Sequence, residues 1–169
     1  MGEFFEISVL VKTKDSSTLG KIREIIESKF TQGSDNSQAT KNDPFKNHRI
    51  VIDFYSEYED FSMFIISIEN LKLNKQNYIS LVKRLQIFGD LLFENNKSDE
   101  IIILGSYELS TYLLRDVVSW NTVIGSVVSK FPVVISRKML SDKSDGQFKL
   151  VSKTKGSVAL LNLKAQDIF

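Results

Sequence analysis

The chain contains no cysteine. That single absence removes disulfides, thiolate metal sites, iron–sulfur ligation and cysteine nucleophiles together. There is one histidine, His48, so no pair of imidazoles can share a metal or a proton. No apolar stretch approaches the roughly 18 residues needed to span a bilayer; the run Ile101–Leu104 stops at Glu100 and Gly105. The first residues, Met1 to Glu6, lack the basic region and long apolar run of a signal peptide, and Glu6 stands where a myristoylation signal needs Ser or Thr. The expected location is cytoplasmic. Fingerprints of catalysis are missing as well. Neither Gly-x-Ser-x-Gly, nor Gly-x-x-x-x-Gly-Lys, nor Gly-x-Gly-x-x-Gly occurs, which leaves no nucleophile elbow, phosphate loop or dinucleotide turn, and no cofactor is expected.

What is present is a globular composition, with 42% hydrophobic and 25% charged residues and twelve Phe among the 169. A chain of this length buries roughly two-thirds of its unfolded surface, and the expectation is one α+β domain over 1–169. Net charge is +1 but unevenly placed: residues 53–120 hold eleven acids against six bases, and residues 121–169 hold three against eight. Such asymmetry fits two faces of opposite sign, and equally a dispersed solvated surface.

Period-two alternation marks a half-buried strand over 4–13, with Phe5, Ile7, Val9 and Val11 inward and Glu6, Ser8 and Lys12 outward. Asp15, Ser16 and Ser17 supply N-cap side chains ahead of Leu19, Ile22, Ile25, Ile26 and Phe30, spaced as one helical face requires. Residues 31–47 carry almost nothing to bury and read as a flexible loop. Strands at 49–55 and 61–69 joined by Ser56–Asp60 predict a hairpin, and Tyr78, Leu81, Val82, Leu85, Phe88 and Leu92 predict an amphipathic helix ending at Asn95-Asn96. A strand over 100–105, apolar on both faces, completes β-α-β-β-α-β, the order of a ferredoxin-like antiparallel sheet with two helices on one face. Because that last strand is an edge in the idealised ferredoxin order, its two-sided hydrophobicity implies that residues 106–169 form an extension that packs over the open face or extends the sheet: one broken helix or two short ones up to Pro132, then strands at 133–138, 147–154 and 158–164, the last two closing on a Lys155-Gly156 turn.

The sequence offers few sites for chemistry. His48 would need Asp43 or Asp53 and an unidentified serine to build a triad. Ser106, at the end of a strand, is expected to open a helix whose free amides could hold an anion, although a plain N-cap explains the residue as well. The carboxylates Asp53, Glu57, Glu59 and Asp60 cluster near a hairpin tip, without the glycine-kinked loop of a calcium site, and no metal is expected. An enzyme built on Asp53, Glu57 and His48 is the least favoured reading.

Binding is the better expectation, and the leading reading is a non-enzymatic protein-binding module that occludes a macromolecular target as an immunity protein, antitoxin or inhibitor does. Its patch is Tyr55, Glu57, Tyr58, Glu59, Asp60 and Phe61, where aromatic anchors beside carboxylates would face a basic partner surface. The alternative is nucleic-acid binding through the basic C-terminal hairpin: Lys149, Lys153 and Lys155 are expected to line one side of an extended strand, with Arg137 and Lys138 nearby. An edge strand guarded by lysines against aggregation accounts for the same residues. No membrane partner is expected.

Overall fold

A computed structural model of the chain describes residues 4–30, 48–72, 75–97, 99–107, 119–137 and 148–162. The predicted flexible loop 31–47, Asp43 and Lys138 lie outside these residues. Seven strands form one antiparallel sheet: β1 (Phe4–Val11), β2 (Ile50–Tyr55), β3 (Ser62–Glu69), β4 (Ile101–Tyr107), β5 (Val133–Ser136), β6 (Phe148–Lys153) and β7 (Val158–Asn162). Their order across the sheet is β2-β3-β1-β4-β5-β7-β6. In the four-stranded arrangement expected from the sequence β4 would be an edge. Here it is the central strand, with Ile101 and Ile103 in the helix-side core and Ile102 and Leu104 in a core on the other face.

Two long helices, α1 (Ser16–Phe30) and α2 (Lys75–Asn95), cover one face of the sheet. The start of α1 is set by Asp15, whose carboxylate accepts from the Thr18 main-chain N–H (2.9 Å) and hydroxyl (2.8 Å). The same two donors hold the Asp15 carboxyl below its ordinary value of 3.8, the main-chain bond contributing most. Leu19, Ile22, Ile26 and Phe30 of α1 meet Tyr78, Leu81, Val82, Leu85, Phe88 and Leu92 of α2 over the inward row Phe5, Ile7, Val9 and Val11 of β1. At the far end of α2 the Asn95 and Asn96 side-chain amides donate back to the carbonyls of Leu91 (2.8 Å) and Leu92 (2.9 Å).

The opposite face of the sheet is covered too. Residues 119–131 lie over it as three short turns in succession: α3 (Trp120–Thr122), capped by the Ser119 hydroxyl, a π-turn (Val123–Val127) and a 3-10 turn (Val128–Lys130). A regular helix does not run through this β-branched stretch, as the sequence predicts. Trp120, Val123, Val128 and Phe131 pack on Leu10, Ile65, Ile102, Leu104, Val134 and Leu160 to make a second core. The reading of β1 as half-buried is corrected: Glu6 and Ser8, expected outward, are 7% and 0% exposed.

The C-terminal hairpin is fastened to α2 through polar groups. Gln86, itself buried, donates from Nε2 to the carbonyls of Ser152 (3.3 Å) and Ser157 (3.4 Å) and to the Ser157 hydroxyl (3.2 Å). The Thr154 hydroxyl donates to Asp90 (2.9 Å) and accepts from the Gly156 and Ser157 amides in the β6–β7 turn.

Candidate functional site

The β2–β3 connection was expected to be a soluble tip bearing surface aromatics. Its aromatic residues instead turn inward. Phe61 is fully buried, and Tyr58, 7% exposed, stacks on it with ring centroids 4.2 Å apart and planes 15° from parallel. Trp120 meets Phe61 edge-on at 6.1 Å. Asp60 is engaged as well, its Oδ1 accepting from the Trp120 main-chain N–H at 2.8 Å, so the tip serves as the docking point of the 119–131 segment. Burial, and after it the neighbouring Glu57 and Tyr55, pushes the Tyr58 phenol up to about 12. Tyr58 and Phe61 are therefore internal supports in this fold, and Asp60 is half-buried against the 119–131 segment. Nothing local in the sequence signals this, because Trp120 is 60 residues away from Asp60.

From the strand side the tip is held by Lys14, whose ammonium donates to the main-chain carbonyls of Ser56, Tyr58 (2.8 Å) and Phe61 (3.4 Å). Three acceptors match the three N–H donors of a lysine. What remains on the outer surface is acidic: Asp53, Glu57 and Glu59 are exposed, Tyr55 is half-buried, and none of the three carboxylates is ion-paired among the described residues. Tyr55 registers their presence, since burial first and then Asp53, Glu6 and Glu57 raise its phenol above its ordinary value. Among the described residues no group of three or more potential ligands could hold a metal ion.

The other sequence-derived candidates are dispersed. His48 sits at the start of β2 with Nδ1 3.0 Å from the Glu69 carbonyl. Ser106 does not open a helix, because β4 continues to Tyr107; it is 1% exposed and pairs with Glu6 across the strands. The expected basic row on the C-terminal hairpin is broken by a bulge between Leu150 and Ser152. Lys149 pairs with Leu161, on the helix side of the sheet, whereas Lys153 pairs with Val158, which is one residue out of phase with Ala159 and so faces the other way. One extra residue in a strand inverts every side chain beyond it. Lys155 lies exposed in the turn. Arg137 is committed elsewhere: its guanidinium donates to the carbonyls of Asn96 and Lys97 (the latter 2.9 Å) and lies 5.4 Å from the centroid of the Phe93 ring, the position a cation favours at a helix C-terminus.

Compared with protein-family models, with curated proteins and with solved structures, the chain matches none.

Proposed function

We propose that this chain is a non-enzymatic protein-binding module, acting in the cytoplasm, that occludes a macromolecular target as an immunity protein, antitoxin or inhibitor does, and that the acidic end of the β2–β3 hairpin is its contact surface. The observation that carries the reading is the pairing of exposed carboxylates, without an ion pair among the described residues, with a rigid support. Glu57 and Glu59 project from a turn clamped by Lys14 and backed by the Tyr58–Phe61–Trp120 cluster. A turn ordered before binding loses little entropy on association, and unpaired carboxylates steer a cationic partner. The neighbour order β2-β3-β1-β4, with α1 and α2 on one face, supports reading the first half as a ferredoxin-like unit within a single domain that β5, β7 and β6 extend. The absence of cysteine fits a reducing compartment. Nucleic-acid binding is the lesser reading, because the bulge in β6 takes away the row of lysines it would use.

The test is affinity capture from the native host by the wild-type chain and by Glu57→Gln/Glu59→Gln, with both baits shown to be equally stable. The reading requires one protein that the wild type retains and the variant loses, with retention falling as salt rises. Equal recovery on both baits refutes it.

A further inference from the structure

The two edges of the sheet are built differently. β6 carries Lys149 and Lys153, is bent by its bulge, and has its Ser152 carbonyl taken by Gln86; these are devices that blunt an edge against pairing. β2 has none of them. Its six residues, Ile-Val-Ile-Asp-Phe-Tyr, contain no lysine, proline or glycine, and its register with β3 runs without irregularity from Ile50↔Ile68 to Tyr55↔Met63. Among the described residues β2 pairs with β3 alone.

The direction of its main-chain groups follows from one bond. The Glu69 N–H donates to the Arg49 carbonyl at 3.0 Å, so Arg49 and Glu69 are a hydrogen-bonded pair. Such pairs alternate along an antiparallel ladder. Val51, Asp53 and Tyr55 therefore turn their N–H and C=O toward β3, and Ile50, Ile52 and Phe54 turn theirs outward. The side chains sort in the same rhythm: Ile50, Ile52 and Phe54 flank the helix-side core, Tyr55 flanks the second core, and Asp53 is exposed.

We propose that the β2 edge receives an extended segment of a partner protein by strand addition, a segment in which apolar side chains alternate with Lys or Arg. The outward amides and carbonyls of Ile50, Ile52 and Phe54 supply the main-chain bonds. Apolar residues of the added strand continue the helix-side row of Ile50, Ile52 and Phe54, and its basic residues fall beside Asp53 with Glu57 and Glu59 at one end. A basic segment matches Asp53, Glu57 and Glu59, which have no ion pair among the described residues, and the inference rests on the functional reading above while naming the form of the partner.

The probe is a short synthetic peptide of alternating valine and lysine, with a valine–glutamate peptide as control, added to the isotopically labelled full chain. Hydrogen exchange at the amides of Ile50, Ile52 and Phe54 should slow by about tenfold or more, with little change at Val51, Asp53 and Tyr55, which are already bonded to β3. The glutamate peptide should leave all six unchanged. Ile52→Pro removes an outward donor without breaking the ladder to β3, and should weaken lysine-peptide binding by about tenfold or more. If that variant misfolds, the wild-type exchange pattern still decides. Peptide binding that is weakened by Glu57→Gln/Glu59→Gln but brings no alternating protection overturns strand addition and leaves the acidic contact surface standing. Protection of the same three amides without peptide, together with dimeric sedimentation, overturns the proposal in favour of a second copy of the chain at this edge. Absence of binding by the lysine peptide also overturns it.

Discussion

Replacing Phe61 with alanine removes a fully buried ring held between Tyr58, at 4.2 Å, and Trp120, at 6.1 Å. Deleting a buried phenyl costs about 3–5 kcal/mol through lost transfer energy and the cavity left behind, and the stacked pair with Tyr58 accounts for about 0.5–1.5 kcal/mol of such a loss. Against a total stability of about 5–15 kcal/mol this is a large fraction. With a urea dependence of about 2 kcal/mol per molar, a loss of 4 kcal/mol lowers the unfolding midpoint by about 2 M. Trp120 is the single tryptophan, so its fluorescence reports on this core and nowhere else. The native emission of Phe61→Ala should shift toward that of a solvated indole, while Phe61→Leu, which keeps most of the volume, should cost only about 1–1.5 kcal/mol. A midpoint shift below about 0.5 M in the alanine variant, with Trp120 emission unmoved, would show that Phe61 is a surface residue and that the hairpin tip does not support the 119–131 segment.

Gln86→Ala leaves the carbonyls of Ser152 and Ser157 without their buried donor and should destabilise by about 1–3 kcal/mol, with faster hydrogen exchange concentrated in β6 and β7; uniform acceleration across the sheet would contradict this. At Gly89, α2 lies against the sheet, and a Cβ there would stand 3.1 Å from Ile135 and 3.2 Å from Ile103. Gly89→Val should therefore cost about 1–3 kcal/mol through overpacking, read as a lower denaturation midpoint, despite replacing the residue with the poor helix propensity. For Tyr58 the folded phenol lies above its ordinary value of 10, so the stability linked to its neutral form is complete below pH 10 and drains away as pH rises toward about 12. Tyr58→Phe should flatten that alkaline decline in urea titrations, and an unchanged slope would dissociate Tyr58 from it.

The elements legible in the sequence were those whose period reports a single covered face. The spacing of Leu19, Ile22, Ile26 and Phe30, and of Tyr78 through Leu92, places α1 and α2 on the sheet as observed. β4 was legible as a strand covered on both sides, but its neighbours were not, because β5 pairs with it from beyond residue 130. Polar residues misled where the cover came from far away. Glu6 and Ser8 alternate like solvent-facing positions, yet both are buried on the face of the sheet that carries the second core. Tyr58 and Phe61 beside Glu57, Glu59 and Asp60 look like anchors set in charge for the same reason, since their partner Trp120 is invisible to any local window. The bulge at Leu150/Ser152 carries no glycine to announce it, and without it the lysines of β6 would have kept one side. Glu57 and Glu59 were legible as surface acids from their charge and turn position, and both are exposed.

The central position of β4 also has a consequence for synthesis. The ribosome delivers Ile101–Tyr107 well before Val133–Ser136, and at about 5–20 residues per second the interval is on the order of seconds. Throughout it, a nascent chain that has already paired β1 with β4 offers an unclosed Ile-Ile-Ile-Leu border, and the Leu10, Ile102 and Leu104 surface waits for a covering segment not yet made. Two sticky features thus coexist in a half-made molecule that the finished one conceals.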